Sequence, residues 1–393
     1  MRTAFSSVAP ATRALALALI AVLSIAGGIH NRGSVQAQSP VSSDAIRRSF
    51  VYTITNPDGP NAIAAYEANA ETGELVFLAT YPTGGRGNGR IVDSQSPLVL
   101  DTEGSMLFAV NPGSDDISVM AMRDDGSLEL LSSPVHSRGV EPASLALSNN
   151  LLYVANKGDA EHEPSYAGFF VQADGSLTRV RRRIALSQGD NPTQVLFNRG
   201  GNILIGIRFG SRGLDSFTVR SNGRLRFLSE LSNQRGPFAA QFNPADGQNL
   251  IVADARLPGA SSYHVSETGS LSFVESAGNS PERAACWIVA HPDGSRAWVS
   301  NTGTHSLSLY TVGTGGVLSF IGSHRTADFG RSPFELALGS EGRFLYQLNV
   351  GAGFQSIHAL RVTDDLLDGG LADIGAIGLP RGGSPIGLVV VTR

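Results

Sequence analysis

The residues with the clearest potential for chemistry are an arginine and an aspartate at equivalent places in two successive repeats of the chain. Arg208 ends the apolar run "NILIGIR" and Asp254 ends "NLIVAD", where most other repeats end on asparagine. Arg212 and Arg256 lie close to them in the sequence. A carboxylate can act as a general base, and guanidinium groups can hold an anion. These four residues therefore predict a site for a small anionic ligand; the alternative is a salt bridge between the two repeats.

A second group of arginines recurs just before the first strand of a repeat. Its members are Arg90, Arg138, Arg235, Arg283, Arg331 and Arg381. If the loops that carry them share one face, their guanidinium groups would surround one opening and could bind carboxylate or phosphate. The alternative is that each arginine caps its own loop or pairs with a nearby acid such as Glu141 or Glu282.

The end of the second strand is a polar position in every repeat. The aligned residues are Thr55, Asn111, Asn156, Arg208, Asp254, Asn301 and Asn349. Because an asparagine side chain commonly bonds the backbone that follows it, we interpret the asparagines as residues that close turns. The two charged departures from this consensus are where we expect a ligand.

These positions belong to a repeat that can be read directly from the sequence. The stretch "SPFELALGSEGRFLYQLNVG" at Ser332 recurs as "SPLVLDTEGSMLFAVNPG" at Ser96 and "EPASLALSNNLLYVANKG" at Glu141. Each copy holds two apolar strands around a turn, followed by a third strand and by a fourth that is introduced by Gly-x-Leu. First strands are expected at Pro97, Pro142, Pro192, Pro237, Ala285, Pro333 and Pro385.

Four antiparallel strands in each of seven repeats predict an all-β fold, a seven-bladed β-propeller. The terminal "SPIGLVVV" has no hairpin partner after it, and the early "SFVYTIT" has no inner strand before it. Each end supplies what the other lacks. We therefore predict that the last blade is closed by the N- and C-terminal strands.

The first 37 residues have the features of a secretory signal peptide. Arg2 and Arg13 precede the apolar run "ALALALIAVLSIAGG", and "VQA" at Val35–Ala37 resembles a cleavage site. We expect residues 1–37 to be removed, 38–48 to form a linker and 49–393 to form one propeller domain. The protein is then exported, to the periplasm or the medium, and no other segment is apolar enough to span a membrane.

The net charge and the composition of the chain exclude several kinds of partner. The formal net charge of −4 becomes −7 after loss of the leader, which carries three arginines and no acidic residue. An acidic protein is a poor nucleic-acid binder, so we expect no nucleic-acid partner.

The single cysteine, Cys286, excludes an internal disulfide, and its apolar neighbours favour a buried residue. We expect a monomer. We also expect no cofactor or metal, because no phosphate loop, zinc motif or calcium loop occurs.

Two further segments carry charge without a clear chemical pattern. The loop "NKGDAEHEPSY" contains Glu161, His162 and Glu163 but lacks the spacing of a metal site, which indicates a solvated insertion. The run "RVRRRI", from Arg179 to Ile184, is typical of a solvated blade edge.

The "LYVAN"-type second strands, "HPDG"-type turns and Gly-x-Leu fourth strands resemble the lactonase-type seven-bladed propellers. That family includes the propeller phosphogluconolactonases and the fungal carboxymuconate lactonizing enzyme. The resemblance covers essentially the whole chain after the leader, and it implies a lactonase-like scaffold.

The resemblance does not extend to the three motifs that the family's enzymes use. The family's Pro-His-Pro-His run is Asp190-Asn191-Pro192-Thr193 here, its Asn-Glu pair is Asp254-Ala255, and its Asn-Arg-Gly is Asn301-Thr302-Gly303. The chain thus lacks the histidine, the glutamate and the arginine of the family's site.

Two functions remain open at this point. The first is an exported propeller that binds a small anionic sugar acid or lactone-like ligand, a glycan or a protein at its central funnel, without the family's usual catalytic residues. The second is a lactone hydrolase with a rearranged site. There Asp254 would be the general base, and Arg208, Arg212, Arg256, Arg138, Arg235, Arg283 and Arg331 would hold an anionic substrate.

Overall fold

The structure is a computed structural model that describes residues 47–393, except residues 102, 326–330, 340 and 352–353. The predicted signal peptide and most of the predicted linker lie outside the described residues. Within the described part, the helices are two single 3-10 turns, Thr314–Gly316 and Leu366–Asp368. No helix among these residues is long and apolar enough to cross a membrane.

The rest of the secondary structure is β-strand. The strands of the first half are β1 (Ser49–Ile54), β2 (Asp58–Ala68), β3 (Leu75–Asn88), β4 (Leu98–Leu100), β5 (Met106–Asn111), β6 (Asp116–Met122), β7 (Leu128–Leu130), β8 (Val135–His136), β9 (Pro142–Ser148), β10 (Leu151–Asn156), β11 (Ser165–Val171), β12 (Leu177–Arg179), β13 (Ile184–Ala185), β14 (Pro192–Phe197) and β15 (Ile203–Arg208). Those of the second half are β16 (Gly213–Val219), β17 (Leu225–Ser232), β18 (Pro237–Phe242), β19 (Asn249–Asp254), β20 (Gly259–Val265), β21 (Leu271–Gly278), β22 (Ala285–Ala290), β23 (Arg296–Asn301), β24 (Ser306–Val312), β25 (Leu318–His324), β26 (Ser332–Leu338), β27 (Phe344–Val350), β28 (Ser356–Val362), β29 (Leu371–Gly378) and β30 (Ile386–Thr392).

These strands form seven antiparallel sheets, which confirms the predicted seven-bladed propeller. Blade 1 holds β30, β1, β2 and β3 from the inside outwards, and blades 2 to 7 follow in chain order. Blades 2 and 3 each have a short extra strand, β8 and β13, paired with the third strand of the blade. The predicted inner strands are β4, β9, β14, β18, β22, β26 and β30.

The two ends of the chain close the ring in blade 1. β1 pairs antiparallel with β30, with Ser49 opposite Thr392 and Tyr52 opposite Val389. β1 also pairs with β2, where Tyr52 lies opposite Ala65. The inner strand of this blade therefore comes from the C-terminus and its other three strands from the N-terminus, as the sequence predicted.

The second strands are buried on both faces because blades pack against one another face to face. β10, β15 and β19 are buried along their whole length. The outer strands alternate between partly buried and exposed residues. Phe227 and Phe273 on outer strands are more than half exposed. The covered edge of each ring packs against an aromatic ring of the third strand, Phe217 at 5.6 Å and Tyr263 at 5.7 Å.

An aromatic side chain on the second strand joins one blade to the next. It donates a hydrogen bond to the carbonyl of the glycine that introduces the outer strand of the following blade. The bonds run from Tyr52 to Gly126 (2.8 Å), from Tyr153 to Gly223 (2.6 Å), from Trp298 to Gly369 (2.9 Å) and from Tyr346 to Gly73 (3.2 Å). We call these bonds the blade latches.

The turns that accept the blade latches require glycine at the start of the Gly-x-Leu motif. Gly126 has φ +81°, a conformation that side chains with a Cβ rarely adopt. A Cβ on Gly126 would also lie 2.4 Å from the ring of Phe50 in the neighbouring blade. Both the turn and the close approach of the neighbouring blade therefore require glycine.

A short segment before β4 crosses the central channel. The side-chain amide of Gln95 donates to the Ile288 carbonyl and accepts from its N–H, both at 3.0 Å. The Ser94 carbonyl accepts from the Trp287 indole at 2.7 Å, and the Ser96 N–H donates to Glu335 at 2.7 Å. Residues 94–96, the plug segment, thus bind inner strands on the far side of the ring. Below it, where the inner strands end, lies a cavity of ≈ 600 Å³.

Candidate functional site

The links between blades and the ends of the second strands meet on one face of the ring. The contacts that show this join a link residue to the end of a second strand: Asp190 to Arg208, Asn233 to Asp254, and Asn279 to Asn301. We call the central depression on this face the mouth. The plug segment closes its floor.

Arg208 lies at the end of β15 in an ion-pair cluster inside blade 4. Its guanidinium donates to both oxygens of Asp215 at 2.8 and 2.9 Å, to Asp190 at 2.9 Å and to Ser211 at 2.7 Å. A fourth partner, Glu230, lies 2.8 Å away. Burial raises the pKa of Asp215 to about 6, although Arg208 opposes that rise. All these partners of Arg208 belong to blade 4 or to the link that leads into it. The salt bridge that was the alternative to a ligand site therefore lies within one blade rather than between two.

Asp254 ends β19 and is completely buried. Its carboxylate accepts from Asn233 at 2.8 Å, from Arg235 at 3.0 Å and from the Ser261 hydroxyl. Burial raises the pKa of Asp254, and the hydrogen bonds from Ser261 and Asn233 oppose this. An enclosed carboxylate with three donors fits a structural role better than the predicted role of general base.

The other predicted arginines have local partners. Arg138 donates to the Val180 carbonyl, and Arg212 donates to Gln234 at 3.0 Å. Arg256 lies over the Phe209 ring at 5.0 Å and Arg331 over Phe354 at 4.5 Å. Arg283 is exposed beside Gly303, and the exposed Arg90 lies 3.6 Å from Glu141.

These contacts bring Arg235 and Asp254 together, and place Arg208 in a separate cluster. Arg90 pairs with Glu141, one of the acids named in the alternative stated above, and Arg138 bonds a backbone carbonyl of blade 3.

The consensus asparagines differ from our interpretation in what they bond. Their amides reach side chains of the third strand rather than the backbone that follows. Asn301 donates to Ser306 at 3.0 Å and Ser308 at 2.8 Å, and accepts from Asn279 of the preceding link at 2.8 Å. Arg208 and Asp254 make the same connection, from the link to the third strand, with charged groups.

The mouth holds a charged group that the sequence analysis passed over. Lys157 follows β10, and its ammonium donates to Asn191 Oδ1 at 2.7 Å. Its N–H donates to the Glu141 carbonyl at 2.9 Å, which fixes the lysine beside the link from blade 2. Asn191 belongs to the run Asp190-Asn191-Pro192-Thr193, which the resemblance aligned with the family's histidine motif. A lysine from the neighbouring blade thus reaches that run.

The charges of two carboxylates, Asp93 and Glu141, act on this lysine. Burial lowers the pKa of Lys157 to about 8, against the charges of Asp93 and Glu141, which favour its protonated form. Burial raises the pKa of Asp93 and of Glu141, and the charge of Lys157 acts against both rises. Asp93 remains exposed to solvent although protein surrounds it, as expected for a group in a funnel. Such groups can bind hydroxyls and carbonyls or move protons.

Aromatic rings form a row across blades 4 to 7, beyond the lysine. Phe209 packs on Phe238 at 5.8 Å, Phe238 on Trp287 at 4.8 Å, and Trp287 on Phe334 at 4.5 Å. Phe209 and Phe334 are partly exposed. Trp287 is bonded to the carbonyl of Ser94, the residue after Asp93, so this aromatic row lies next to the charged group.

Only one signal in the sequence pointed to Lys157. It is the single lysine among the 30 basic residues of the chain. Asp93 and Asn191 lie on the links into blades 2 and 4, so no local motif could connect them with Lys157. Cys286, whose thiol pKa is raised to about 12 by burial, lies near Asp93 and is buried as expected.

Comparison with known proteins supports the fold. No family model matches the chain. A segment of 89 residues, 22% of this chain and 22% of the relative, is 30% identical to the 6-phosphogluconolactonase of Bacillus subtilis. A proposed 6-phosphogluconolactonase of Bacteroides uniformis superposes with a TM-score of 0.73 at 20% identity over 88% of this chain and 99% of that one.

A further solved structure is the periplasmic gluconolactonase of Pseudomonas aeruginosa. It has a TM-score of 0.70 at 20% identity and covers 88% of this chain and 99% of that one. The chain has a lactonase-type propeller fold. The resemblance expected from the repeats is thereby confirmed for the scaffold, and a scaffold by itself does not define a reaction.

Proposed function

We propose that this lactonase-type propeller binds a small hydroxylated ring compound, a sugar lactone or sugar acid, in its mouth. The observation that carries the proposal is the group of Lys157, Asp93 and Glu141 beside an aromatic row. Carboxylates accept hydrogen bonds from ring hydroxyls, an ammonium donates to a carbonyl or carboxylate, and aromatic rings pack on the apolar face of a ring. This site replaces the arginine rim and Asp254 as the proposed ligand position.

The charge of the group favours a neutral lactone over its open acid. Arg90 lies 3.6 Å from Glu141 and offsets its charge. An anionic product would be repelled by the accessible carboxylate of Asp93, whereas the lactone would not. The earlier expectation of an anionic ligand therefore becomes a preference for the lactone form.

A second candidate function, hydrolysis of the bound lactone, rests on the accessible carboxylate of Asp93. That carboxylate would take a proton from water while the oxygen of the water attacks the lactone carbonyl carbon. The Lys157 ammonium would stabilise the oxyanion that forms. The ring C–O bond then breaks, and the leaving oxygen receives the proton from Asp93, giving the open hydroxy acid.

We also propose that the protein is exported. The leader-like segment at residues 1–37 supports this, and so does the structural similarity to a periplasmic gluconolactonase. Detection of the mature N-terminus near residue 38 in a periplasmic or extracellular fraction would support it. A retained leader in the cytoplasmic fraction would contradict it.

The proposed function is tested by calorimetric titration of the full chain with glucono-1,5-lactone and with gluconate. We expect Lys157→Met to weaken binding by roughly tenfold, the loss typical of one charge-assisted hydrogen bond. Arg226→Met, which removes an exposed cation from an outer strand, is the matched control and should leave the affinity unchanged.

Binding should weaken as the pH rises through about 8, because Lys157 loses its charge there. The Lys157→Met variant should not show this pH dependence.

Acid release measured on the same samples separates the two functions. Turnover that Asp93→Asn removes, with binding retained, supports the hydrolase. Binding without turnover above the uncatalysed rate supports a binding protein only. No binding of either compound, or an equal loss in Arg226→Met, contradicts the proposal.

A further inference from the structure

A second depression lies outside the mouth, between blade 3 and the link that leads into it. Its volume is ≈ 700 Å³. One wall is the link with Arg138, another is the outer edge of blade 3 with Arg179 and Arg183, and the third is the insertion that carries Glu161 and Glu163. The proposed sugar site does not use these residues.

The arginines of this depression form no ion pair with an acid of the described chain. Arg179 and Arg183 are exposed, and among the described residues neither has an ion-pair partner. The pKa of Arg138 is lowered by burial and then by the charges of Arg179 and Arg183. Three guanidinium groups therefore repel one another around one space, an arrangement that a bound anion would relieve.

Arg138 is held in place by its surroundings. Its backbone has φ +71°, which is uncommon for a residue with a side chain. Its N–H donates to His136 Nδ1 at 2.8 Å, and its guanidinium donates to the Val180 carbonyl between Arg179 and Arg183. A fixed guanidinium loses little entropy when it binds an oxyanion.

The insertion on the opposite wall is also ordered. The Asp159 carboxylate accepts from the N–H groups of Glu161 and His162 at 2.9 and 2.8 Å, and Gln188 donates to the Asp159 carbonyl at 2.6 Å. This wall brings two carboxylates to the depression. They disfavour a ligand that is anionic along its whole length, such as a nucleic acid or a sulfated polymer, and leave room for one compact oxyanion at the arginines.

We propose that Arg138, Arg179 and Arg183 form a binding site for a single phosphate-bearing group. Guanidinium groups match the tetrahedral oxyanion with paired N–H donors. The group could come from a soluble phosphate compound or from a phospholipid headgroup, and the chemistry of recognition is the same for both. The site is separate from the mouth and does not depend on the proposed sugar ligand.

The test is calorimetric titration of the full chain with inorganic pyrophosphate at low and at physiological salt. We expect binding that weakens with salt, and a loss of roughly tenfold in Arg179→Gln and in Arg183→Gln, since each removes one charge-assisted contact. Arg182→Gln is the matched control. It lies in the same exposed segment and changes the net charge equally, but it does not line the depression.

Flotation with vesicles of phosphatidylglycerol, and of phosphatidylcholine as the neutral case, identifies the source of the phosphate. Phosphatidylglycerol binding that pyrophosphate displaces and Arg183→Gln abolishes supports a lipid headgroup. Pyrophosphate binding without vesicle binding supports a soluble compound. Absence of both, or an equal loss in Arg182→Gln, overturns the proposal.

Discussion

At the scale of single residues, Arg208 and Asp254 show how a structural solution can resemble a functional site. In the repeats with asparagine, one amide joins the link before a blade to the third strand of that blade. Arg208 makes this connection through Asp190 and Asp215, and Asp254 makes it through Asn233 and Ser261. In these two blades a charged side chain joins the link to the third strand, where the other blades use an asparagine amide.

Arg208→Met should destabilise the protein by about 3–5 kcal/mol at neutral pH, because it leaves the buried Asp190 and Asp215 without their counter-charge. The burial-raised pKa of Asp215 should rise further in the variant. A carboxyl group with a raised folded-state pKa contributes stability below its unfolded pKa of about 4 and loses it as the pH rises through the folded value. The deficit should therefore be smaller at pH near 5 than at neutral pH, as measured by urea unfolding.

The control is Arg212→Met, which removes a partly buried arginine whose side chain bonds only Gln234 among the described residues. It should change the free energy of unfolding by less than about 1 kcal/mol. Equal effects of the two substitutions, or a deficit that does not depend on pH, would show that the ion-pair cluster does not stabilise blade 4.

At the scale of elements, the blade latches link two sequence motifs that are far apart in the chain. The tyrosine of "LYVAN" and the glycine of the following Gly-x-Leu turn belong to neighbouring blades. The Tyr153 hydroxyl is buried, so its bond to the Gly223 carbonyl satisfies two polar groups that water cannot reach. The motif pair therefore determines how adjacent blades dock.

Tyr153→Phe should lower the free energy of unfolding by about 1–2 kcal/mol, since the Gly223 carbonyl loses its donor. Tyr310→Phe is the matched control, because the buried Tyr310 hydroxyl has no hydrogen-bond partner among the described residues. Its removal should be neutral or stabilising in thermal and urea unfolding. The latch would have no energetic role if both variants unfolded alike.

At the scale of the whole molecule, the ring is held by the pairing of the two chain ends and by the plug segment. β1 and β30 join the ends of the chain in blade 1. The plug segment ties blade 2 to the inner strands of blades 4, 6 and 7 through Thr193, Ile288 and Glu335. It also forms the floor that separates the mouth from the cavity below.

Gln95→Ala should destabilise the protein by about 1–3 kcal/mol, because two backbone groups of Ile288 lose their partners in a buried channel. Gln172→Ala, on the exposed surface, should have almost no effect. Differential scanning calorimetry would measure both. If the two variants melted together, the plug segment would not stabilise the ring.

The architecture could be predicted from the sequence alone. Each blade is built from hairpins between neighbouring strands, so the pattern of "LYVAN" strands and Gly-x-Leu turns is local and repeats along the chain. The unpaired "SFVYTIT" and "SPIGLVVV" even predicted the closure of blade 1. Local strand pairing leaves a periodic signal that one sequence can show.

The polar residues of the mouth, by contrast, could be identified only from the folded ring. Lys157 comes from blade 3, Asn191 from the link into blade 4, and Asp93 from the link into blade 2. Comparison of repeats finds residues that depart from the consensus, and Arg208 and Asp254 depart for reasons of packing. A site assembled from different blades at the ring axis leaves no spacing in the sequence, because the distance between its members is set by closure of the ring rather than by the chain between them.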